Sequence, residues 1–400
     1  MTALAAVLDP YLRDWLDLLL RWLHVIAAIA WIGTSFYFVL LDQSLRPPKE
    51  RADVEAGVRG ELWEVHGGGF YHVQKYQVAP RVLPEHLAWF KWEAYTTWLS
   101  GFGLMVVLYY LDARAYLIDP QVADLEPWAA VGLSAALLAV AWLAYDLLCR
   151  LVRDDRLLGA AIAFLVAVAT WGATQLFSPR AAFLQVGAML GTVMAANVFF
   201  VIIPAHRELI RAKLAGREPD PAPSIEGKRR SVHNNYLTLP VLLAMLGGHF
   251  AFLYGSEHDW LVLVALMAIA AWARVFFNLR HGGRTLWWIP AVGALAVVGL
   301  ALAIRPDEAE TGGEPVPFAE VRSIVAERCA SCHATSPTQP GFSSPPAGVV
   351  LETPAQIAAR TDEIRTVVAA RSMPLGNVTG MTAAERRRVV AWVDEGAETG

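Results

Sequence analysis

Eight apolar runs, each close to the roughly 20 residues a helix needs to cross a bilayer, fall at about 18–40, 88–111, 127–149, 157–177, 183–204, 236–255, 259–277 and 286–304. The polar stretches between them alternate in charge. Those at 42–87, 150–156, 205–235 and 278–285 hold 18 Lys and Arg, whereas 112–126, 178–182 and 256–258 hold only Arg114 and Arg180. This bias predicts the first group on the cytoplasmic side, and an even number of crossings puts both termini on the other. No small-residue cleavage site follows a short apolar core at the amphipathic N-terminus, so the first run reads as a retained helix. No internal repeat stands out. Segment 305–317, RPDEAETGGEPVP, reads as a linker. Beyond it the pattern becomes that of soluble helices: Phe318, Val321, Ile324 and Val325 form one stripe, and 382–396 reads as a closing helix with Val389, Val390 and Trp392 inward. The predicted architecture is all-α, with a polytopic eight-helix transmembrane bundle over 1–304, a linker over 305–317 and a small domain over 318–400.

Composition sharpens this picture. A chain of 400 residues that is 56% hydrophobic with 15 Trp is a lipid-facing protein rather than two or three soluble domains. A net charge of −4 offers no basic field, and no Gly-rich fingerprint follows a strand pattern, so nucleic acid is not an expected partner. Three cysteines exclude a disulfide framework, and Cys149 reads as a buried thiol at a helix end. The other two lie in ERCASCH. This C-x-x-C-H motif attaches a c-type haem through Cys329 and Cys332 and places His333 under the iron. A helix delivering that motif, followed by a closing helix, is the pattern of a small class I cytochrome c. Met373 in SMPLGN, in a loop just before a proline, is the simplest sixth ligand, and Met381 is the alternative. Thioether ligation raises the potential and makes such a haem an electron acceptor. Haem c is attached outside the bacterial cytoplasm, which agrees with the charge bias through independent residues.

Histidines in apolar runs are costly and by default functional. His24 and His249 each lie about six residues from the outer ends of the first and sixth runs, roughly 9 Å deep at about 1.5 Å per residue. Equal depth, with Ala27, Ala28, Gly247 and Gly248 alongside, makes them candidate axial ligands of a haem b. The plainer reading satisfies each with a hydroxyl or carbonyl on a neighbouring helix. At the inner side, residues 63–98 set His66, His72, Lys75, Arg81, His86, Lys91 and Glu93 among nine aromatics. His233, Asn234, Asn235 and Tyr236 stand at the mouth of the sixth run, and Arg274, Asn278, Arg280 and His281 at the inner end of the seventh. Such a set can hold a flat anionic ring by stacking and charge-assisted hydrogen bonds. Lys75, Arg81, Asn234, Tyr236, Arg274, Asn278 and Arg280 are the binding candidates, and Lys91, Glu93, His233 and His281 the candidates for acid–base work. An aromatic belt with snorkelling cations is the plain alternative for any one of them. Gly67, Gly68 and Gly69 also make an ordinary turn.

HVIAAIAWIGTSFYFV, HGGGFY, LPEHLAWFKWEAYTTWLSGF, HNNYLTLPVL and FNLRH, in this order and followed by CASCH, resemble the bacterial integral-membrane urate oxidases fused to cytochrome c. The resemblance covers nearly the whole chain, most specifically at 84–103. It implies oxidation of urate to 5-hydroxyisourate in purine breakdown, without hydrogen peroxide as product. Electrons would pass to the C-terminal haem c and on to a respiratory acceptor such as a cytochrome oxidase or soluble cytochrome c. It also implies the inner membrane as location, with the N-terminus and the cytochrome domain in the periplasm. Only the haem positions Cys329, Cys332, His333 and Met373 carry over from it. A second class of reading is a haem-containing electron-relay subunit for quinol or a dehydrogenase, without substrate chemistry of its own. A copper or haem transporter, suggested by LHVIAAIAWIG, would want Met- or Cys-lined helices that the runs do not supply.

Overall fold

The computed structural model describes residues 9–76, 79–256, 258–305, 315–339, 342 and 344–399. Among the described residues up to position 305, nine helices are longer than ten residues: α1 (Pro10–Ser44), α2 (Trp92–Leu104), α3 (Pro127–Leu151), α4 (Asp155–Leu176), α5 (Pro179–Ala196), α6 (Ile203–Leu214), α7 (Pro221–Gly247), α8 (Asp259–His281) and α9 (Trp288–Ala303). Proline opens α1, α3, α5 and α7, where its missing N–H costs nothing and its fixed φ suits the first turn. Two π-helical turns interrupt the α geometry, Met105–Tyr110 after α2 and Asn197–Ile202 between α5 and α6.

Among the described residues five helical stretches are long and apolar enough to cross a membrane: Tyr11–Ser44, Pro127–Leu151, Asp155–Leu176, Pro179–Leu214 and Asp259–His281. Helices also occupy the three other expected positions, but α2 and α9 are short and α7 carries Lys228, Arg229 and Arg230 in its first half. The α5 stretch is the hub, 61% buried, and packs against α2, α3, α4 and α7, while α1 is only 6% buried. Trp15, Trp22, Val25 and Ile29 on α1 are exposed, an apolar exterior compatible with lipid. Glycines set the closest approaches. A Cβ on Gly101 of α2 would meet His24 Cε1 of α1 at 2.8 Å, and one on Gly247 of α7 would meet Phe183 Cδ1 of α5 at 2.8 Å.

The all-α expectation misses one element. Residues 42–87 contain an antiparallel hairpin of β1 (Val58–His66) and β2 (Gly69–Tyr76), in register from His66↔Gly69 to Gly60↔Lys75. Gly67 and Gly68 form its turn with φ of +57° and +81°, the mirror-image turn that matches strand twist and requires glycine. The plain reading of the glycines therefore holds. Trp63 stacks on His72 at 4.2 Å, and His72 Nε2 lies 2.9 Å from Glu61 Oε2.

Most of the expected linker, 306–314, lies outside the described residues. The C-terminal unit packs α10 (Phe318–Arg328), α11 (Thr361–Ala369) and α12 (Ala383–Asp394) around Val321, Val325, Val368, Met381, Val389 and Trp392. Thr382 and Glu385 close a reciprocal capping box at the start of α12. Val390, expected inward with its neighbours, is only partly buried at the edge of this core.

Candidate functional site

Contacts sort the helix ends into two sets. Asp42 at the end of α1 is ion-paired to both Lys75 of β2 and Lys228 of α7, and Arg229 of α7 reaches Asp155 of α4 and the carbonyl of Cys149 on α3. At the opposite end Arg13 pairs with Asp112, and the Ser178 N–H donates to the Leu117 carbonyl. The expected polar set belongs to the first end, and it forms two networks joined through the consecutive residues His233, Asn234 and Asn235 of α7.

The first network is closed. Arg230, 1% exposed, lies 5.0 Å over the Tyr145 ring and donates to Asp146 Oδ1 (2.8 Å), Glu226 Oε1 (2.6 Å) and Asn197 Oδ1 (3.4 Å). Asn197 Nδ2 donates to the Tyr145 hydroxyl (3.0 Å) and to Asn234 Oδ1 (2.8 Å). His233 Nδ1 shares a proton with the Tyr145 hydroxyl at 2.8 Å. Cys149 is buried beside them, its Sγ 3.9 Å from the same imidazole nitrogen. Two carboxylates and an amide compensate the buried guanidinium, so this network holds α3, α5 and α7 together.

The second network is open. Arg274 of α8, 2% exposed, lies 4.0 Å from the centre of the Phe36 ring of α1. Its Nε donates to Asn235 Oδ1 at 2.5 Å, and Asn235 Nδ2 donates to Asn278 Oδ1 at 3.1 Å. Its Nη2 has no partner among the described residues, and the same is true of buried Gln43 Oε1, Glu93 Oε2 and His281 Nδ1. All four come from the inner parts of α1, α2 and α8, and α1 packs against both of the others. An orphaned buried polar atom costs about 1–3 kcal/mol, so such a group is retained where a ligand or water completes it. A buried cation under an aromatic ring, two amides and the imidazole of His281 within electrostatic range make the chemistry of a site for a planar anion, with the Glu93 carboxyl a separate orphan on α2.

The remaining candidates divide. Tyr236 lies within electrostatic range of Arg274. Lys91 sits over Trp89 and Trp92 at 5.1 and 5.4 Å. Lys75 is neutralised by Asp42, Arg81 donates to the Glu55 carbonyl at 3.2 Å, and Arg280 is exposed, so none of these three joins the buried set. Phe36, Tyr145, Asp146, Asn197 and Arg230 are site residues that sequence reasoning missed. For Asp146 and Asn197 the signal was available, since a polar side chain inside an apolar run is costly without a role.

In the C-terminal unit Cys329, Cys332 and His333 follow the last turn of α10. Burial pushes the Cys329 thiol up to about 11 and raises Cys332 as well, keeping both neutral at pH 7. His333 Nδ1 lies 3.1 Å from the Val349 carbonyl, which orients the ring and leaves Nε2 free, as an axial ligand requires. Met381 is fully buried in the apolar core, whereas Met373 is half-buried in its loop. A thiol pair followed by a histidine with a free Nε2 fits a covalently held haem, with the half-buried Met373 the more accessible of the two candidate thioethers. His24 Nδ1 faces the Thr97 carbonyl at 2.9 Å and Ser100 Oγ at 3.2 Å, leaving Nε2 free. His249 is not inside a crossing helix as expected: α7 ends at Gly247, and the imidazole is exposed in the bend before the turn Ala251–Tyr254.

A family model described as urate oxidase N-terminal matches residues 10–305, which hold both inner networks and end before the C-terminal unit. No curated protein and no solved structure matches the chain.

Proposed function

The chain belongs to the urate oxidase N-terminal family, and from that premise we propose that it oxidises urate at the inner end of a membrane-spanning bundle and passes the electrons to its own C-terminal haem c. The observation that carries this reading is the unpaired Nη2 of buried Arg274 beside the Phe36 ring. Urate is an aromatic monoanion at neutral pH. Arg274 supplies the charge-assisted hydrogen bond it needs, Asn235 and Asn278 hold the guanidinium in place, and Phe36 flanks the site. Glu93 and His281, each with a buried unpaired atom, are the candidates to take protons. Overall, the urate monoanion and one water give neutral 5-hydroxyisourate, one proton and two electrons, with no hydrogen peroxide.

Cys329 and Cys332 would hold the haem covalently, and His333 and Met373 would ligate its iron. When bound, this haem supplies a one-electron acceptor at a potential raised by the thioether, and a respiratory oxidase or soluble cytochrome c is the onward acceptor. Free Nε2 keeps His24 as a candidate ligand for a haem b, whereas His249, exposed in the bend after α7, does not supply its partner. In this reading all of α1 to α5 and α7 to α9 cross the inner membrane of a bacterium, with the hairpin cytoplasmic and both termini periplasmic.

The test is anaerobic addition of urate to the purified, oxidised protein, with c-type and b-type bands recorded separately. Reduction of the c band at one urate per two haems is the expected result. A haem that dithionite reduces and urate does not would leave the electron-relay reading in its place.

A further inference from the structure

Among the described residues the C-terminal unit meets the bundle mostly along segment 370–381, which also bears Met373, with α11 beside it against the turn Ala251–Tyr254. Gln121 Nε2 donates to the Met381 carbonyl at 2.7 Å. A Cβ on Gly376, where φ is +55°, would meet the Arg114 and Ala115 carbonyl oxygens at 2.6 Å each, and one on Gly255 would meet Ala370 Cα at 2.6 Å. Ser372 is the polar neighbour of Tyr254, which is 5% exposed. Segments about 120 and 260 residues apart in the chain thus meet backbone to backbone, with no room for a methyl group on either side.

The same segment is gripped from within. Arg386 of α12, 5% exposed, donates from Nη1 to the Met373 carbonyl at 2.5 Å and to the Val368 carbonyl at 3.2 Å, and from Nη2 to Asn377 Oδ1 at 3.1 Å. Asn377 Nδ2 donates at 3.2 Å to the Met381 carbonyl that also accepts from Gln121. The Met373 loop is therefore clamped between the last helix and the outer ends of α2 and α7.

We propose that segment 370–381 is an intramolecular electron-entry surface: the bundle docks the C-terminal unit by its Met373 loop, so that single electrons leave the bundle for the ferric haem through this contact rather than by free encounters of a tethered domain. The assignment rests on the haem reading of Cys329, Cys332, His333 and Met373. A flexible tether alone would give only a high effective concentration, and losing a docked geometry costs about tenfold or more in rate.

The experiment uses full-length Gly255→Leu and Gln121→Leu proteins, altered on the bundle side and outside both the haem and the inner site. Hydrogen exchange across 370–381 and 113–121 reads docking, and anaerobic stopped-flow reads haem c reduction by urate and by a small chemical reductant. The expected result is faster exchange in both segments and at least about tenfold slower reduction by urate, with the midpoint potential and the chemical reduction rate unchanged. Faster exchange with a wild-type urate rate would overturn electron entry at this surface. Unchanged exchange in both variants would overturn the claim that these contacts hold the unit in place. A wild-type protein that urate does not reduce would count against the proposed activity instead, because the exchange measurement still reads the docking.

Discussion

In the proposed site substrate recognition rests on Arg274, and its unpaired Nη2 gives two opposite expectations for one substitution. Arg274→Met removes a charge-assisted hydrogen bond to the bound anion, worth about 2–3 kcal/mol or roughly a hundredfold in urate KM. It also removes a buried cation whose partners in the free protein are one amide and one ring, so the thermal midpoint should hold or rise. Steady-state kinetics with a melting curve checks both; a KM within threefold of wild type would remove Arg274 from the site. The two methionines offer an equally clean contrast. Met373→Ala should lower the potential of the c haem and abolish its thioether-to-iron charge-transfer band. Met381→Ala, a core truncation beside Val389 and Trp392, should leave the potential alone and cost about 2–5 kcal/mol of stability in the C-terminal unit. A potential that falls with Met381 would exchange their roles. Both methionines were legible as candidates in the sequence, but only burial separates them.

At the scale of elements, the π turn at Asn197–Ile202 shows why some of the site was hidden. Hydropathy reads GTVMAANVFFVII as one continuous span, and nothing in its period reveals that Asn197 is turned into a network with Tyr145, Arg230 and Asn234. Asn197→Leu strips partners from a buried guanidinium and two further polar groups, and should destabilise the bundle by about 2–4 kcal/mol, measured by denaturation in detergent. The hairpin was hidden for another reason. Its strands carry Trp63, Val65, Phe70 and Tyr71 on exposed positions, so the alternation that normally marks a half-buried strand is blurred. The long helices were legible because proline starts and apolar length agree. At the start of α12, burial pushes Glu385 up, but the Thr382 N–H and Arg328 outweigh it and hold the carboxyl below the usual range. A depressed folded value means that this contribution is complete above the unfolded pKa of about 4.3 and is lost as pH falls through the folded one. Glu385→Gln should therefore flatten the acid limb of the C-terminal unit's unfolding curve, followed by circular dichroism between pH 5 and pH 2.

For the whole molecule, the number of crossings decides whether one chain can take electrons from a cytosolic purine and deliver them outside. Among the described residues five helical stretches are long and apolar enough to cross, and an odd number of crossings would separate Pro10 from Phe318. The docked C-terminal unit argues for parity: it touches the stretch after α2 and the stretch after α7, and both must then lie on its own side. That requires α2 with its π turn, 92–110 and about 28 Å long, to carry the chain across despite its length. It requires the same of α7 beyond its charged first half, and of α9, whose 16 residues are flanked by Trp287 and Trp288 at an interfacial position. Eight crossings satisfy every contact and place Asp124 and Arg284 on opposite faces. Asp124→Cys and Arg284→Cys can be tested with a membrane-impermeant thiol reagent on spheroplasts, because Cys149 is buried and the proposed haem attachment would consume the thiols of Cys329 and Cys332. Position 124 should label in intact spheroplasts, and position 284 only after lysis. Labelling of 284 from outside would break the parity, and with it the route from a cytoplasmic site to a periplasmic haem.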